Sequence, residues 1–336
     1  MREPAPGTFG GGGPRRAAKR LLLATRPMFL PASLLPVLVG TAWGWRTAGA
    51  AGGRDFASLD LGSLDLGALL LALAAIACVH GAVNVLNDAA DDALGGDRDN
   101  GQRIFPFTGG SRFIQNAVMT RRGMARWGAA LLALGALFGL WLALDKGATV
   151  LWLGLAGAAL GLGYSLPPLR LCDRGLGELA VGLGFGVLPV AGAAWLQSGR
   201  WDAGALWLAV PVSLWVALIL LANEVPDARA DAAAGKRTLA VRLGPAGTAR
   251  LYFALQVAAV APLGVLAAGG VLSAGGALPT GALALALGAW PAAALAARDL
   301  AAGMAAPARV ARAIALTLAV HALGCLWLIG WALAAG

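Results

Sequence analysis

This chain is poor in charge. Asp, Glu, Lys and Arg together make up 13% of its 336 residues, while 59% are hydrophobic and the mean hydropathy is +0.73. An ordinary soluble domain carries about 25% charged residues. A water-soluble globule of this size has no interior large enough to hide so much apolar surface, and a disordered chain needs the opposite bias. Cysteine is also scarce. Cys78, Cys172 and Cys325 are widely spaced with no CxxC pair, which excludes a disulfide scaffold and argues against a cysteine-based zinc site. Two of the three sit in apolar runs and read as small hydrophobes rather than nucleophiles. Only two histidines occur, His80 and His321. What the chain has instead is long apolar runs rich in Gly and Ala, and the reading is an all-α, polytopic membrane protein.

Apolar runs able to cross about 30 Å of hydrocarbon predict nine spans, at roughly 28–45, 66–86, 127–144, 148–166, 178–196, 205–222, 248–272, 278–297 and 313–335. These are expected to bundle around a central, lipid-accessible chamber with a polar cap on one side. Of the 26 basic residues, 22 fall before the first span or in the even-numbered loops. The other four are Arg46, Arg54, Lys146 and Arg200. This asymmetry predicts a cytoplasmic N-terminus and cytoplasmic polar loops in a cell inner membrane. The net charge of +9 then serves topology and attraction to anionic lipid, and no nucleic-acid partner is expected. Residues 1–25 read as a disordered basic tail with a short interfacial helix over Pro14–Thr25; residues 26–336 form the transmembrane domain.

Eight of the seventeen carboxylates are concentrated in two short segments on the cytoplasmic side. The first runs from Asn84 through Asn87, Asp88, Asp91, Asp92, Asp97 and Asp99. Asn84, Asn87, Asp88 and Asp91 are spaced at three and four residues and so share one helix face. The second, Asn223-Glu224-Val-Pro-Asp227-Ala-Arg-Ala-Asp231, again places Asp227 and Asp231 four apart. Ionisable groups beside hydrocarbon are costly and point to function. Oxygen-only ligands suit a hard cation, and Mg2+ uses one or two carboxylates plus substrate phosphates. Basic residues follow each cluster: Arg103 and Arg112 after the first, Lys236 and Arg237 after the second. Carboxylates, Mg2+, diphosphate and closing cations make a coherent set. The plain alternative is two solvated loops, and for Asp92, Asp97 and Asp99 individually a solvated charge is an equal reading.

These motifs resemble the UbiA superfamily of intramembrane prenyltransferases, which carries an Asn/Asp-rich motif after its second helix and a DxxxD motif after its sixth. Here they are Asn87-Asp88-xx-Asp91 and Asp227-xxx-Asp231. Further details are similar to the menaquinone-pathway 1,4-dihydroxy-2-naphthoate polyprenyltransferases. They include Arg26-Pro27, Leu30-Pro31 and Pro36-Val-Leu-Val-Gly40-Thr41, then the NDxxDxxxGxD pattern from Asn87 to Asp97. Gly110-Ser111-Arg112, Arg174-Gly175-Leu-Gly177-Glu178 and Gly235-Lys236-Arg237-Thr238 add to these. Two departures stand out. Ala89 replaces a common aromatic, and Glu224-Val225-Pro226 precedes Asp227 where Asn-Ile-Arg-like sequences are frequent.

The resemblance implies transfer of a polyprenyl group from its diphosphate to an aromatic acceptor, with loss of the ring carboxylate in the naphthoate case. Asp88, Asp91, Asp227 and Asp231 would then hold Mg2+, with Asn84 and Asn87 orienting them. Arg103, Arg112, Lys236 and Arg237 would bind the diphosphate. Arg26, Gln115, Tyr164 and Arg170 are the candidates on the acceptor side. For Arg26, anchoring of topology is an equal alternative. His80 is expected to be a packing residue, with a base role left open by its place on the Asn84 face, and His321 is structural. The rival readings are a related enzyme with another aromatic acceptor, a terpene cyclase on the same fold, and a channel or transporter. Both acidic clusters lie at one face, which disfavours a path across the bilayer.

Overall fold

The computed structural model describes residues 3–9, 13–51, 61–95, 100–268 and 278–334. Among these residues the regular structure is entirely helical. We number the principal helices α1 (Pro14–Ala24), α2 (Pro31–Ala51), α3 (Leu66–Leu94), α4 (Arg121–Lys146) and α5 (Ala148–Ser165). They continue as α6 (Gly177–Ser198), α7 (Ala203–Ala233), α8 (Leu239–Ala268), α9 (Leu278–Ala301) and α10 (Pro307–Ala334). Helix α6 contains a π-helical turn at Leu183–Val187, and α8 is broken at Gly244 (φ 64°, ψ 174°).

Among the described residues seven helices are long and apolar enough to span a membrane: the segment Pro27–Gly49, then α3 to α7 and α10. The two other expected spans fall in α8 and α9. The boundary between them, residues 269–277, lies outside the described residues, so the described residues do not give a count of nine.

Helix ends follow local chemistry. Asp65, Thr120 and Asp202 each cap a helix N-terminus by accepting a backbone N–H, from Ala68, Gly123 and Ala205 respectively. Left-handed Gly95 ends α3 (φ 81°). Both acidic helices outrun the hydrophobic runs that announced them. Helix α3 continues to Leu94 rather than stopping near 86, and α7 to Ala233 rather than 222. The Asn/Asp clusters are therefore built on the last turns of two helices, where i, i+3 and i, i+4 spacing becomes real proximity.

Helices α2 and α6 approach closely because Gly40 and Gly44 face the backbone of Val190 and Ala194, where any Cβ would overlap it. The core cluster shared by α2, α6, α7, α8 and α10 is built of small aliphatic residues with Trp43, Trp215 and Trp331 as its large members. Residues 3–9 lie against the polar cap, where Glu3 meets Arg103 at 2.8 Å, and Pro14–Ala24 forms α1. Trp127 Nε1 donates to the Leu21 carbonyl (3.1 Å), fixing α1 against α4.

Candidate active site

The ends of α3 and α7 meet across a chamber of about 190 Å3. Arg26, Asn84, Asn87, Asp91, Tyr164, Asp227, Asp231 and Lys236 all line it. At its centre Lys236 Nζ bridges the two clusters, 2.8 Å from Asp91 Oδ1 and 3.2 Å from Asp231 Oδ1. Burial alone lowers the Lys236 pKa; the flanking Asp91 and Asp231 more than reverse this, holding the ammonium above the ordinary lysine range.

The remaining two aspartates are held by the loop between α3 and α4. Asp227 accepts hydrogen bonds from Asn100 Nδ2 (2.6 Å) and the Gly109 N–H (3.0 Å). Asp88 Oδ2 accepts from the Ser111 N–H at 3.0 Å, while its Oδ1 is buried with no partner. Gly109 (φ 75°) and Gly110 (φ 72°) take left-handed conformations that let N–H groups two residues apart serve carboxylates from two different helices. Asn84 Nδ2 donates back to the His80 carbonyl (3.0 Å), and Asn87 Nδ2 donates to Ser165 Oγ (3.1 Å) on α5.

Arg26 stands where the chain enters the first span, in a left-handed conformation (φ 55°, ψ 58°) uncommon for a residue with a side chain. Its Nη2 donates to the Phe107 carbonyl (2.5 Å), its guanidinium lies 5.0 Å from the Phe29 ring centre, and its Nε has no partner. Nearby, His80 Nδ1 and Ser33 Oγ are 2.7 Å apart, a hydrogen-bonded packing arrangement on the chamber wall.

Other sequence candidates lie outside the chamber lining. Arg103 is held by Glu3 and by the Asn100 carbonyl (2.6 Å). Arg112 is buried in a left-handed conformation (φ 63°), and Gln115 is half-buried in the same loop. Arg237 is exposed, and Arg170 pairs with Asp173. Asp92 is buried rather than solvated; Asp97 and Asp99 lie outside the described residues. Cys172 borders the chamber, and burial pushes its thiol above the ordinary range.

Three chamber groups escaped assignment from sequence. Asn100 and the Gly109–Ser111 backbone act through a loop whose position depends on the fold. Glu224 was visible only as an extra carboxylate three residues before Asp227. Glu178, buried at the first turn of α6, lies within hydrogen-bonding reach of Glu224.

A second cavity of about 330 Å3, lined almost wholly by apolar side chains, adjoins the first. Val83, Tyr164, Val181 and Phe185 line both. It runs between α3, α4, α5 and α6 to Leu140, Leu151 and Leu155 on the lipid-facing surface.

The model of the UbiA prenyltransferase family matches residues 33–305. The chain belongs to this family. It is 37% identical to 1,4-dihydroxy-2-naphthoate octaprenyltransferase of Mycobacterium tuberculosis (strain ATCC 25618 / H37Rv), an alignment covering 68% of this chain and 70% of the relative. It is 30% identical to UbiA prenyltransferase domain-containing protein 1 of Xenopus tropicalis over 69% of this chain and 61% of that one. In fold it is similar to a UbiA homolog from Aeropyrum pernix K1 (TM-score 0.62, 24% identity, covering 91% of this chain and 96% of that one). A UbiA homolog from Archaeoglobus fulgidus bound to GPP and Mg2+ gives a TM-score of 0.59 at 17% identity, covering 90% of this chain and 99% of that chain. The chain is thus a membrane-embedded enzyme of the prenyltransferase class.

Among the described residues no three His, Cys, Asp or Glu side chains converge into a ready metal cage. Mg2+ does not require one, because it keeps waters and takes substrate phosphate oxygens. The hard oxygen donors and the unpartnered Asp88 Oδ1 fit that ion.

Proposed function

We propose that this enzyme transfers a polyprenyl group from an allylic diphosphate to an aromatic acceptor in an Mg2+-dependent reaction. Our acceptor is 1,4-dihydroxy-2-naphthoate, with loss of its carboxylate, in menaquinone synthesis. The observation that carries the reading is the joining of two Asp clusters around Lys236 at the polar mouth of a chamber that continues into an apolar cavity. Likeness to the mycobacterial 1,4-dihydroxy-2-naphthoate octaprenyltransferases supports the choice of acceptor.

Asp88, Asp91, Asp227 and Asp231 would hold Mg2+, which supplies Lewis-acid neutralisation of the departing diphosphate. Asn84 and Asn87 fix the α3 face on which two of these carboxylates stand. Lys236, which Asp91 and Asp231 hold at the chamber, would pair with diphosphate oxygens. Arg103, Arg112 and Arg237 border the cap, and their part in diphosphate binding requires side-chain movement. The apolar cavity takes the isoprenoid tail and excludes water from the allylic carbon as its C–O bond breaks. Arg26 would offer its guanidinium to the acceptor carboxylate and Tyr164 stands at the junction of the two cavities, while Gln115 and Arg170, outside the chamber lining, would reach the acceptor only by side-chain movement. In this reading the polar mouth faces the cytoplasm of a cell inner membrane, which the distribution of basic residues supports. Residues 26–336 constitute the catalytic domain and residues 1–25 a basic membrane-surface segment.

An acceptor screen tests this reading. Purified protein is given radiolabelled allylic diphosphate, Mg2+ and separate aromatic acids, with a control lacking acceptor. A lipophilic product formed with 1,4-dihydroxy-2-naphthoate is expected. Product only with another aromatic moves the enzyme to a different acceptor, and a terpene in the control makes it a cyclase.

A further inference from the structure

The two walls of the chamber differ in hydrogen-bonding sense. On the wall where the chain enters the first span, Arg26 offers a donor, its Nε, that nothing in the protein receives. On the α7 wall the open group is an acceptor. Asn223 Oδ1 is buried and unpartnered, while the buried Glu178 carboxyl meets that of Glu224 within hydrogen-bonding reach. Glu178 is backed against Glu224, whose Oε2 receives the Ala240 N–H at 3.2 Å at the start of α8. Asn223 and Glu224 both line the chamber. Buried acceptors lacking donors are destabilising, and a native structure keeps them where a ligand or water completes them.

Position matters as much as polarity. Glu224 precedes Asp227 by three residues on one face of α7, so it lies about 4.5 Å deeper in the span. A ring beside the allylic carbon of a diphosphate held at the Asp227 level lies at the Glu224 level. We propose that Glu224, with Asn223, receives the ring hydroxyl of the acceptor while Arg26 receives its carboxylate. The site thereby selects a hydroxyaryl carboxylate by the donor–acceptor polarity of its walls. The inference rests on the aromatic-acceptor reading above and adds the group that reads the hydroxyl. In this role Glu224 is a specificity-determining residue, and Glu178 is a positioning residue acting through it.

Binding to the purified full chain, measured calorimetrically without prenyl donor, tests the assignment with ligand pairs that differ in hydroxylation. The pairs are 1,4-dihydroxy-2-naphthoate against 2-naphthoate, and 4-hydroxybenzoate against benzoate. The unaltered protein is expected to favour the hydroxylated member of at least one pair by about tenfold or more. Glu224→Ala is expected to reduce that preference to about twofold or less by weakening only the hydroxylated ligand. Glu224→Gln, which keeps the volume and one acceptor oxygen, guards against a folding defect and is expected to fall between the two. A preference that survives Glu224→Ala in folded protein overturns the assignment while leaving the naphthoate reading standing. A Glu224-dependent preference seen only in the benzoate pair supports the assignment and removes the naphthoate reading. Absence of any hydroxyl preference in the unaltered protein overturns the assignment.

Discussion

The two ends of the helical bundle use polar residues in opposite ways. At the end away from the chamber, Asp65 caps α3 and meets Lys146 Nζ at 2.5 Å, and its backbone exchanges two 3.0 Å hydrogen bonds with the Gln197 side chain. Asp202 caps α7 and receives Trp43 Nε1 at 2.7 Å. Arg46 lies over the rings of Trp43 and Trp331, 5.5 and 4.8 Å from their centres. Asp65, Lys146 and Asp202 have partners inside the protein and fix helix ends, while Arg46 Nη1 is buried with no hydrogen-bond partner and the guanidinium rests on the two rings. At the chamber end, Asp88 Oδ1, Asn223 Oδ1 and Arg26 Nε lack a partner. Paired carboxylates hold the helix ends; unpaired buried groups beside a chamber mark where a ligand supplies what the protein does not.

The largest effects should therefore come from the chamber end, without loss of fold. Asp88→Asn and Asp227→Asn keep the acceptor oxygen for the Ser111 or Gly109 N–H and remove the charge. Each is expected to reduce prenyl transfer by about 10²–10³-fold, measured as kcat/KM, with an unchanged melting temperature. Full activity in either variant would sink the ligand assignment. Chelation with EDTA is expected to abolish turnover in the unaltered enzyme, and added Mg2+ to restore it.

Lys236 sharpens the comparison because it belongs to both classes. In the structure it satisfies Asp91 and Asp231; in our mechanism it transfers to the diphosphate. Lys236→Met strands two buried carboxylates and is expected to cost about 3–5 kcal/mol of stability. It should also raise the KM for the prenyl diphosphate. Added Mg2+ with a prenyl diphosphate should recover more of the melting temperature in Lys236→Met than in the unaltered protein. An equal shift in both would mean that the ion does not take the place of the ammonium.

How much of this was legible in the sequence depends on the range over which each feature is determined. The Asn84, Asn87, Asp88 and Asp91 face and the Asp227/Asp231 pair are local, set by 3.6 residues per turn, and their spacing alone placed them together on one helix face. The choice among cations was not local. Lys236 and Arg237 are neighbours, yet the first is 7% exposed and the second lies on the exposed surface. They follow a turn at left-handed Gly235 (φ 77°). Arg103 is taken up by Glu3, 100 residues away in the chain, a contact no spacing rule encodes. The Gly109 and Ser111 N–H donors are backbone groups, and the Gly110-Ser111-Arg112 motif marked their segment without assigning it this role. Glu178 and Glu224 come from different helices, and only their packing brings the two carboxyls within hydrogen-bonding reach.

The smallest effect should come from the far end, and there two variants separate cap from charge. Asp65→Ala removes the N-cap of α3 together with the Lys146 pair, and is expected to cost about 1–2 kcal/mol. Asp65→Asn keeps a good capping side chain and removes only the ion pair, whose Asp65 side chain is 36% exposed, so about 0–1 kcal/mol is expected. The hydrogen bond from Lys146, aided by the Ala68 N–H, holds the Asp65 carboxyl below its ordinary range. A group depressed in the folded state stabilises above its unfolded pKa and loses that contribution as pH falls through the folded value. The gap between the unaltered protein and Asp65→Asn should therefore be full at neutral pH and close under acid, when followed by thermal melting. Prenyl transfer per folded molecule should be unchanged in both variants. A drop in activity here comparable to that of Asp227→Asn would erase the division between an end that holds the bundle and an end that works.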